Sequence, residues 1–269
     1  VASDELTASP GGPVPPHKGR RTAIVAAALV VLGLIAIVFY RWGSGGSPVL
    51  APSAAPSASA TRNPTTAQIY TAVAPSVVSV EATRPGQTGV EATGTGVIVN
   101  AGGIILTALH VVKGADSIKV TFGDGTASDA TVLAADPTID VAALGPATLP
   151  SVVVPAVLGS AARLAVGDSV VAIGDQLGLT RTTTTGVVSG LNRLARGADG
   201  SQLEGLIQFD AAVNSGSSGG PLLNSRGETV GIVVALANPT SAGTFIGVGF
   251  AVPIGAAVAA GGGDRVPQQ

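Results

Sequence analysis

From about Ala67 to residue 255 the sequence is cut into short Val- and Ile-rich runs by Gly, Asp-Gly and Asn turns. They include "SVVSVEA" (76–82), "GTGVIVN" (94–100), "SIKVTF" (117–122), "DSVVAIG" (168–174), "ETVGIVVAL" (228–236) and "GVGFAVPI" (247–254). Eleven such runs fit into the stretch, each about as long as a strand and bounded by turn residues. Little amphipathic-helix pattern lies between them. That texture predicts a closed all-β architecture. The proline-containing segment 145–167 reads as the joint between two half-domains of similar size.

The remainder of the chain has a different character. Residues 1–21 are polar and Pro/Gly-rich and read as a disordered cytoplasmic tail. Residues 22–40, "TAIVAAALVVLGLIAIVFY", carry no charge, and eleven of the nineteen are Leu, Ile, Val or Phe. A helix of that length reaches roughly 28 Å, close to the hydrocarbon thickness of a bilayer. The run predicts one transmembrane helix. Lys18, Arg20 and Arg21 precede it and Arg41 alone closely follows, so the positive-inside rule puts the N-terminus in the cytoplasm and the later residues outside. Residues 41–66 read as a Pro/Ala/Ser/Gly linker, 67–260 as the folded domain and 261–269 as a tail.

Composition removes several function classes. A net charge of −2 gives no electrostatic footprint for nucleic acid. Cysteine is absent, which removes disulfides, thiolate metal sites and a cysteine nucleophile. One histidine among scattered carboxylates makes no ligand cluster, so no metal or cofactor is expected.

"VNSGSSGGPLLN" (213–224) places three serines among glycines. A serine hydroxyl is a poor nucleophile unless a base sits against it. The downstream domain has a single histidine, His110, and histidine is the side-chain type that titrates near neutrality. It is the candidate general base for Ser218. A carboxylate would have to orient it. Asp140 leads into the apolar run "DVAAL", while Asp136 precedes a proline and reads as a turn residue; spacing alone does not choose between them. Gly216 can adopt a backbone conformation closed to other residues. With it, the N–H groups of Gly216 and Ser218 can converge as an oxyanion hole.

In combination these segments are familiar. "SGSSGGPLLNSRGETVGI" resembles the nucleophile segment of trypsin-like serine proteases, and specifically that of the HtrA (Deg) family. "GTGVIVNAGGIILTALHVV" resembles that family's histidine block and "DPTIDVAAL" its aspartate block. "GDSVVAIGDQLGLTRTTTTGVVSGLNR" and "GVGFAVPI" resemble its later blocks, in the same order. The resemblance implies a chymotrypsin-like fold of two six-stranded antiparallel β-barrels with the site between them. It implies catalysis by Ser218, His110 and Asp140, with Asp136 left as the turn, and an oxyanion hole from the amides of Gly216 and Ser218. Regulatory loops would fall near Asp175–Arg181, Arg193–Glu204 and Ala235–Thr244. The substrate pocket would be built from Ala212, Val213 and Asn214. Ala212 stands where an Arg- or Lys-specific enzyme carries an acid, so small or medium aliphatic P1 residues are expected.

The departures from the family pattern are specific. Ser215 and Ser217 replace the family's Pro and Asn, and Asp175-Gln176-Leu177 replaces Asn-Pro-Phe/Tyr. The sequence ends sixteen residues into and beyond "GVGFAVPI", counted from Ile254 to Gln269, so no built-in PDZ groove is expected within it. The expected partners are protein or peptide substrates and the membrane; the resemblance also admits a homotrimer through the start of the protease domain. The function so read is that of a membrane-tethered, extracytoplasmic serine endopeptidase acting on unfolded or damaged proteins. The alternative is a chaperone or binding module on the same fold with low or conditional proteolysis.

Overall fold

The computed structural model describes residues 18–43, 63–84, 86, 89–90, 92–196, 201–236 and 245–262. The chain divides into two units, Val1–Ala60 and Thr61–Gln269. In the first unit a single helix, α1 (Lys18–Gly43), contains the whole uncharged run 22–40. It begins inside the predicted tail and ends inside the predicted linker, because no Gly or Pro interrupts the chain at either boundary. Side chains of α1 are described from Leu29 onward, and its large apolar groups, from Leu29 to Trp42, stand exposed. Among the described residues no helix is long and apolar enough to cross a membrane. Residues 1–17, 44–62 and 263–269, read as tails and linker, lie outside the described residues.

The second unit opens with α2 (Thr66–Val73). Thr65 is its N-cap. The Thr65 hydroxyl accepts from the Gln68 amide at 3.3 Å, and the Gln68 side chain accepts from the Thr65 amide at 2.8 Å. This reciprocal box satisfies two otherwise orphaned donors and starts the helix. The linker therefore ends before Thr65, two residues earlier than the sequence suggests. Ile69 and Val73, four apart and so on one face, pack against Val77, Val171, Ile173 and Leu223. Two helical turns are too short to leave a periodic signal in the sequence.

Twelve strands follow. The first barrel contains β1 (Val77–Thr83), β2 (Ala92–Ile98), β3 (Ile105–Ala108), β4 (Ser117–Thr121), β5 (Ala127–Asp136) and β6 (Val141–Pro146). It closes in the order β1-β2-β3-β6-β5-β4. The second contains β7 (Ser169–Gly174), β8 (Thr182–Arg196), β9 (Gln202–Phe209), β10 (Pro221–Asn224), β11 (Thr229–Leu236) and β12 (Gly249–Pro253). It closes in the order β10-β11-β12-β9-β8-β7. Every pairing between strands is antiparallel. Closure leaves no unpaired edge to template aggregation. Eleven strands match the apolar runs. The twelfth, β10, is four residues long and hides in the Ser/Gly segment.

The period of two is visible in burial: Ile118 and Val120 of β4 are buried between exposed Ser117 and Lys119. The first barrel's core continues without a break into Leu203, Leu206, Ile232 and Val252 of the second. Phe209, Val213, Leu222 and Val233 fill the second barrel. Each fully buried large side chain contributes about 1.5–3 kcal/mol. Residues 147–168 connect the barrels. Ala156 donates to the Ile98 carbonyl at 2.8 Å, and Leu158 bridges in parallel to Thr229. A last helix, α4 (Ile254–Ala260), buries Ile254, Ala257 and Val258.

Candidate active site

His110 sits on α3 (Leu109–Val112), a single turn that follows β3. Asp140 lies on the turn before β6, with φ at +57°. Few residues other than glycine adopt this left-handed backbone, and aspartate tolerates it better than most. The conformation turns Asp140 back toward α3. Its carbonyl accepts from the Leu109 amide at 2.9 Å. Its Oδ1 accepts from the His110 main-chain N–H at 2.8 Å, and its Oδ2 lies 2.5 Å from His110 Nδ1. The Asp140 side chain is 10% exposed and the His110 side chain 23%. The carboxylate is thus withdrawn from solvent while the imidazole reaches the surface. Asp136, the other candidate, accepts from the Thr138 amide and hydroxyl at 2.9 and 2.6 Å and closes its own turn.

Ser218 is held from both barrels. Its carbonyl accepts from Thr95 of β2 at 2.8 Å. The next residue, Gly219, donates to Val233 of β11 at 2.7 Å, and Val233 donates back to Gly220 at 2.9 Å. A Cβ on Gly219 would overlap the Thr95 carbonyl and the Thr107 hydroxyl and lie 2.8 Å from the Ala108 nitrogen. The serine turn is therefore pressed against the end of β3, two residues before His110. The Ser218 hydroxyl makes no hydrogen bond among the described residues; a nucleophile–base bond commonly tightens only with substrate present. Ser217 is buried, and its Oγ accepts from the Asn214 amide at 3.1 Å, tightening the turn from inside.

The peptide between Ser215 and Gly216 has a fixed direction. The Ser215 carbonyl accepts from the Leu177 amide at 2.9 Å. In a trans peptide the following N–H points the opposite way, so Gly216 N–H faces away from the 175–181 loop. The Gly216 carbonyl accepts from Thr95 Oγ1 at 2.6 Å. Gly216 has φ at +93°, and a Cβ there would overlap the Asp175 carbonyl oxygen. Among the described residues neither Gly216 N–H nor Ser218 N–H has an acceptor within the chain. Two unpaired amides thus flank the serine.

The three residues predicted to form the substrate pocket lie at different depths. The Ala212 carbonyl accepts from Gln176 Nε2 at 2.8 Å and from Thr184 Oγ1 at 2.7 Å. Val213 is fully buried in the core of the second barrel. Asn214 spans the gap, with Nδ2 donating to Gln176 Oε1 at 3.4 Å and Oδ1 accepting from Phe245 N–H at 3.3 Å. Of the three predicted regulatory loops, Asp175–Arg181 is described throughout. Residues 197–200 and 237–244 of the other two lie outside the described residues.

The sequence reading missed the supports of this arrangement. Asp175 is buried and accepts from the Ser79 hydroxyl and, at 2.7 Å, from the Arg181 amide. Thr95 Oγ1 accepts from the Asp175 amide at 2.9 Å while donating to Gly216. An aspartate and a glutamine set among the glycines and leucines of "GDQLGLT" were the available signal. Asp210 accepts from the Val187 amide at 2.6 Å.

Two closed antiparallel barrels carrying a His–Asp pair beside a serine turn define the class of chymotrypsin-like hydrolases. The trypsin-like peptidase domain family matches residues 94–232, just over half of the chain, and the chain belongs to that family. Its relatives are HtrA/Deg serine proteases. It is 41% identical over 232 residues to the serine protease PepD of Mycobacterium tuberculosis, covering 79% of this chain and 49% of that protein. It is 42% identical over 165 residues to the chloroplastic Protease Do-like 1 of Arabidopsis thaliana, covering 61% and 37%. It is 41% identical over 164 residues to the periplasmic pH-dependent serine endoprotease DegQ of Escherichia coli, covering 61% and 35%. The chain thus spans less than half the length of each of these three relatives. Among solved structures, the HtrA-type protease AlgW with a tripeptide superposes with a TM-score of 0.65 at 34% identity, covering 73% of this chain and 62% of that one. The domain is that of a serine endopeptidase.

Proposed function

We propose that this protein is a membrane-tethered HtrA-type serine endopeptidase that cleaves unfolded or damaged proteins outside the cytoplasmic membrane, using Ser218, His110 and Asp140. The observation that carries the reading is Asp140's double hold on His110 beside a serine flanked by two unpaired amides. Ser218 Oγ attacks the scissile carbonyl carbon while His110 Nε2 takes its proton. Negative charge develops on the carbonyl oxygen and is met by the N–H groups of Gly216 and Ser218. As the C–N bond breaks, His110 returns the proton to the leaving amine, and the acyl group stays on Ser218. Water, deprotonated by His110, then attacks the ester, and the acid leaves as His110 returns that proton to Ser218 Oγ.

Membrane tethering is supported by the uncharged run 22–40 within α1, eleven of whose nineteen residues are Leu, Ile, Val or Phe. Its described apolar groups are exposed all round, and basic residues are concentrated at its N-terminal side. Carbonate extraction of membranes should leave the chain in the pellet, and added protease should reach the residues after 41 only from the extracytoplasmic side. A homotrimer is the assembly expected of this reading, checked by sedimentation in detergent.

With Ala212 at the pocket position, P1 preference should fall on small or medium aliphatic residues. Cleavage confined to arginyl substrates would overturn that preference. The deciding experiment compares wild type with Ser218→Ala for fluorophosphonate labelling and casein cleavage. Wild type should label and cleave, and the variant should do neither. A wild type that does neither under any condition ends the enzyme reading.

A further inference from the structure

The protease unit carries a cavity that the proposed mechanism does not use. It has a volume of about 560 Å³ and lies where α2, the β4–β5 turn, the 150–154 segment and the end of the 175–181 loop meet. Tyr70, Phe122, Val152 and Val154 give it apolar walls, and its charged lining groups are Arg181 and Asp124. This is the size and mixture of small-molecule sites: an apolar body with few converging polar groups.

The charges select the ligand. One guanidinium nitrogen of Arg181 donates to the Gly123 carbonyl at 3.1 Å. No carboxylate pairs with that guanidinium among the described residues, so the rest of its fork is available to a planar anion. The Asp124 carboxylate already accepts from the Thr126 amide at 2.9 Å and adds a negative charge to the same cavity. A single carboxylate on an aromatic or branched apolar body suits the guanidinium and the apolar walls while adding only one charge beside Asp124. A dianion such as phosphate meets the repulsion of Asp124.

The cavity is also wired to the serine turn. Arg181 has φ at +53°, a backbone state that persists only where its surroundings fix it. Its amide donates to Asp175 Oδ1 at 2.7 Å. The Asp175 amide donates to Thr95 Oγ1 at 2.9 Å, and that hydroxyl donates to the Gly216 carbonyl at 2.6 Å. Two residues after Asp175, Leu177 N–H holds the Ser215 carbonyl. A ligand gripping Arg181 therefore loads the loop that aims Gly216 N–H.

We infer that this cavity is an effector site for amphipathic monocarboxylates, and that occupancy at Arg181 steadies the 175–181 loop and speeds acylation of Ser218. The activity half of the inference rests on the proposed role of Ser218 and Gly216; the binding half does not. The test uses the full chain in detergent, with 3-phenylpropanoate as probe and 3-phenylpropanamide and inorganic phosphate as comparisons. Calorimetry on Ser218→Ala should show the carboxylate binding about tenfold or more tighter than the amide, the worth of one charge-assisted bond, and no heat from phosphate. Arg181→Gln should lose that discrimination. Asp124→Asn should tighten carboxylate binding, which keeps the test independent of how well the Arg181 variant folds. In wild type, saturating probe should raise the rate of fluorophosphonate labelling. Equal binding of acid and amide, or undiminished acid binding in Arg181→Gln, overturns the site. Binding with no change in labelling rate overturns the effector role. A protein that binds the probe but never labels refutes the enzyme reading and leaves the binding site standing.

Discussion

Asp140 holds His110 at two points, Oδ2 on the ring Nδ1 at 2.5 Å and Oδ1 on the main-chain nitrogen at 2.8 Å. An ionised carboxylate can only accept. The ring proton is therefore kept on Nδ1, and Nε2 is left bare to take a proton. Asp140→Asn keeps the size of the side chain and suits the left-handed backbone at φ +57°. Its amide can donate to the ring and so select the wrong tautomer. A fall in kcat of about 10⁴ is expected, as in a well-studied triad of this geometry, with little change in Tm. Activity within about tenfold of wild type would mean that Asp140 does not set the tautomer.

Gly216 has no room for a methyl group. Its φ of +93° and its closeness to the Asp175 carbonyl mean that Gly216→Ala must displace the turn or the loop. Either movement turns Gly216 N–H away from the proposed oxyanion site. A loss of about 10²–10³ in kcat is expected, with KM nearly unchanged. Gly114→Ala is the control: φ there is +72°, but nothing lies within 4 Å of the added carbon. It should lower stability modestly and leave turnover intact. Equal turnover losses in the two variants would show that strain alone, and not the oxyanion geometry, was measured.

The barrels were legible because their strands are apolar runs whose period matches burial and whose ends are marked by turns. His110 stood out as a candidate because it is the single histidine of the domain, and Ser218 because Gly-Gly-Pro follows it and Gly216 lies two residues before it. Asp140 was less so. Its hold on His110 depends on a positive φ and on contacts with a helix thirty residues earlier, and neither leaves a mark in a string of letters. The support of Gly216 was not legible at all. Thr95, Ser79 and Asp175 lie on three separate segments and meet only once both barrels have closed. Helix α2 was missed for a different reason: two turns carry two buried residues, which is fewer than periodicity can register.

Gln176 is the buried bridge between the 175–181 loop and the floor of the predicted substrate pocket. It donates to the Ala212 carbonyl and accepts from Asn214. Gln176→Leu preserves much of the volume but leaves Asn214 Nδ2 without this acceptor; Thr184 still serves Ala212. The cost of one buried bond is about 1–1.5 kcal/mol, or roughly tenfold in kcat/KM for peptide substrates. The loss should exceed that for a small fluorophosphonate, which has no P1 side chain to place. Equal losses for the two would move the role of Gln176 from the pocket to the oxyanion turn.

The β10–β11 turn that follows the serine carries a pH signature. Arg226 donates to Glu228 at 2.6 Å and Asn224 donates to it at 2.7 Å. The Arg226 bond first, and then the Asn224 bond, hold the Glu228 carboxyl below its ordinary range, with burial opposing them. A carboxyl lowered by folding binds its proton more readily in the unfolded chain. The resulting stability is fully present above the unfolded value of about 4.3 and is lost as pH falls through the folded one. The Arg226 side chain is 52% exposed, so solvent screens the pair and the effect is small. Urea unfolding at pH 7 should place the Glu228→Gln midpoint slightly below that of wild type. The gap should close when both are unfolded well below pH 4. A gap of the same size at both pH values would assign the difference to changed packing of the side chain rather than to its charge.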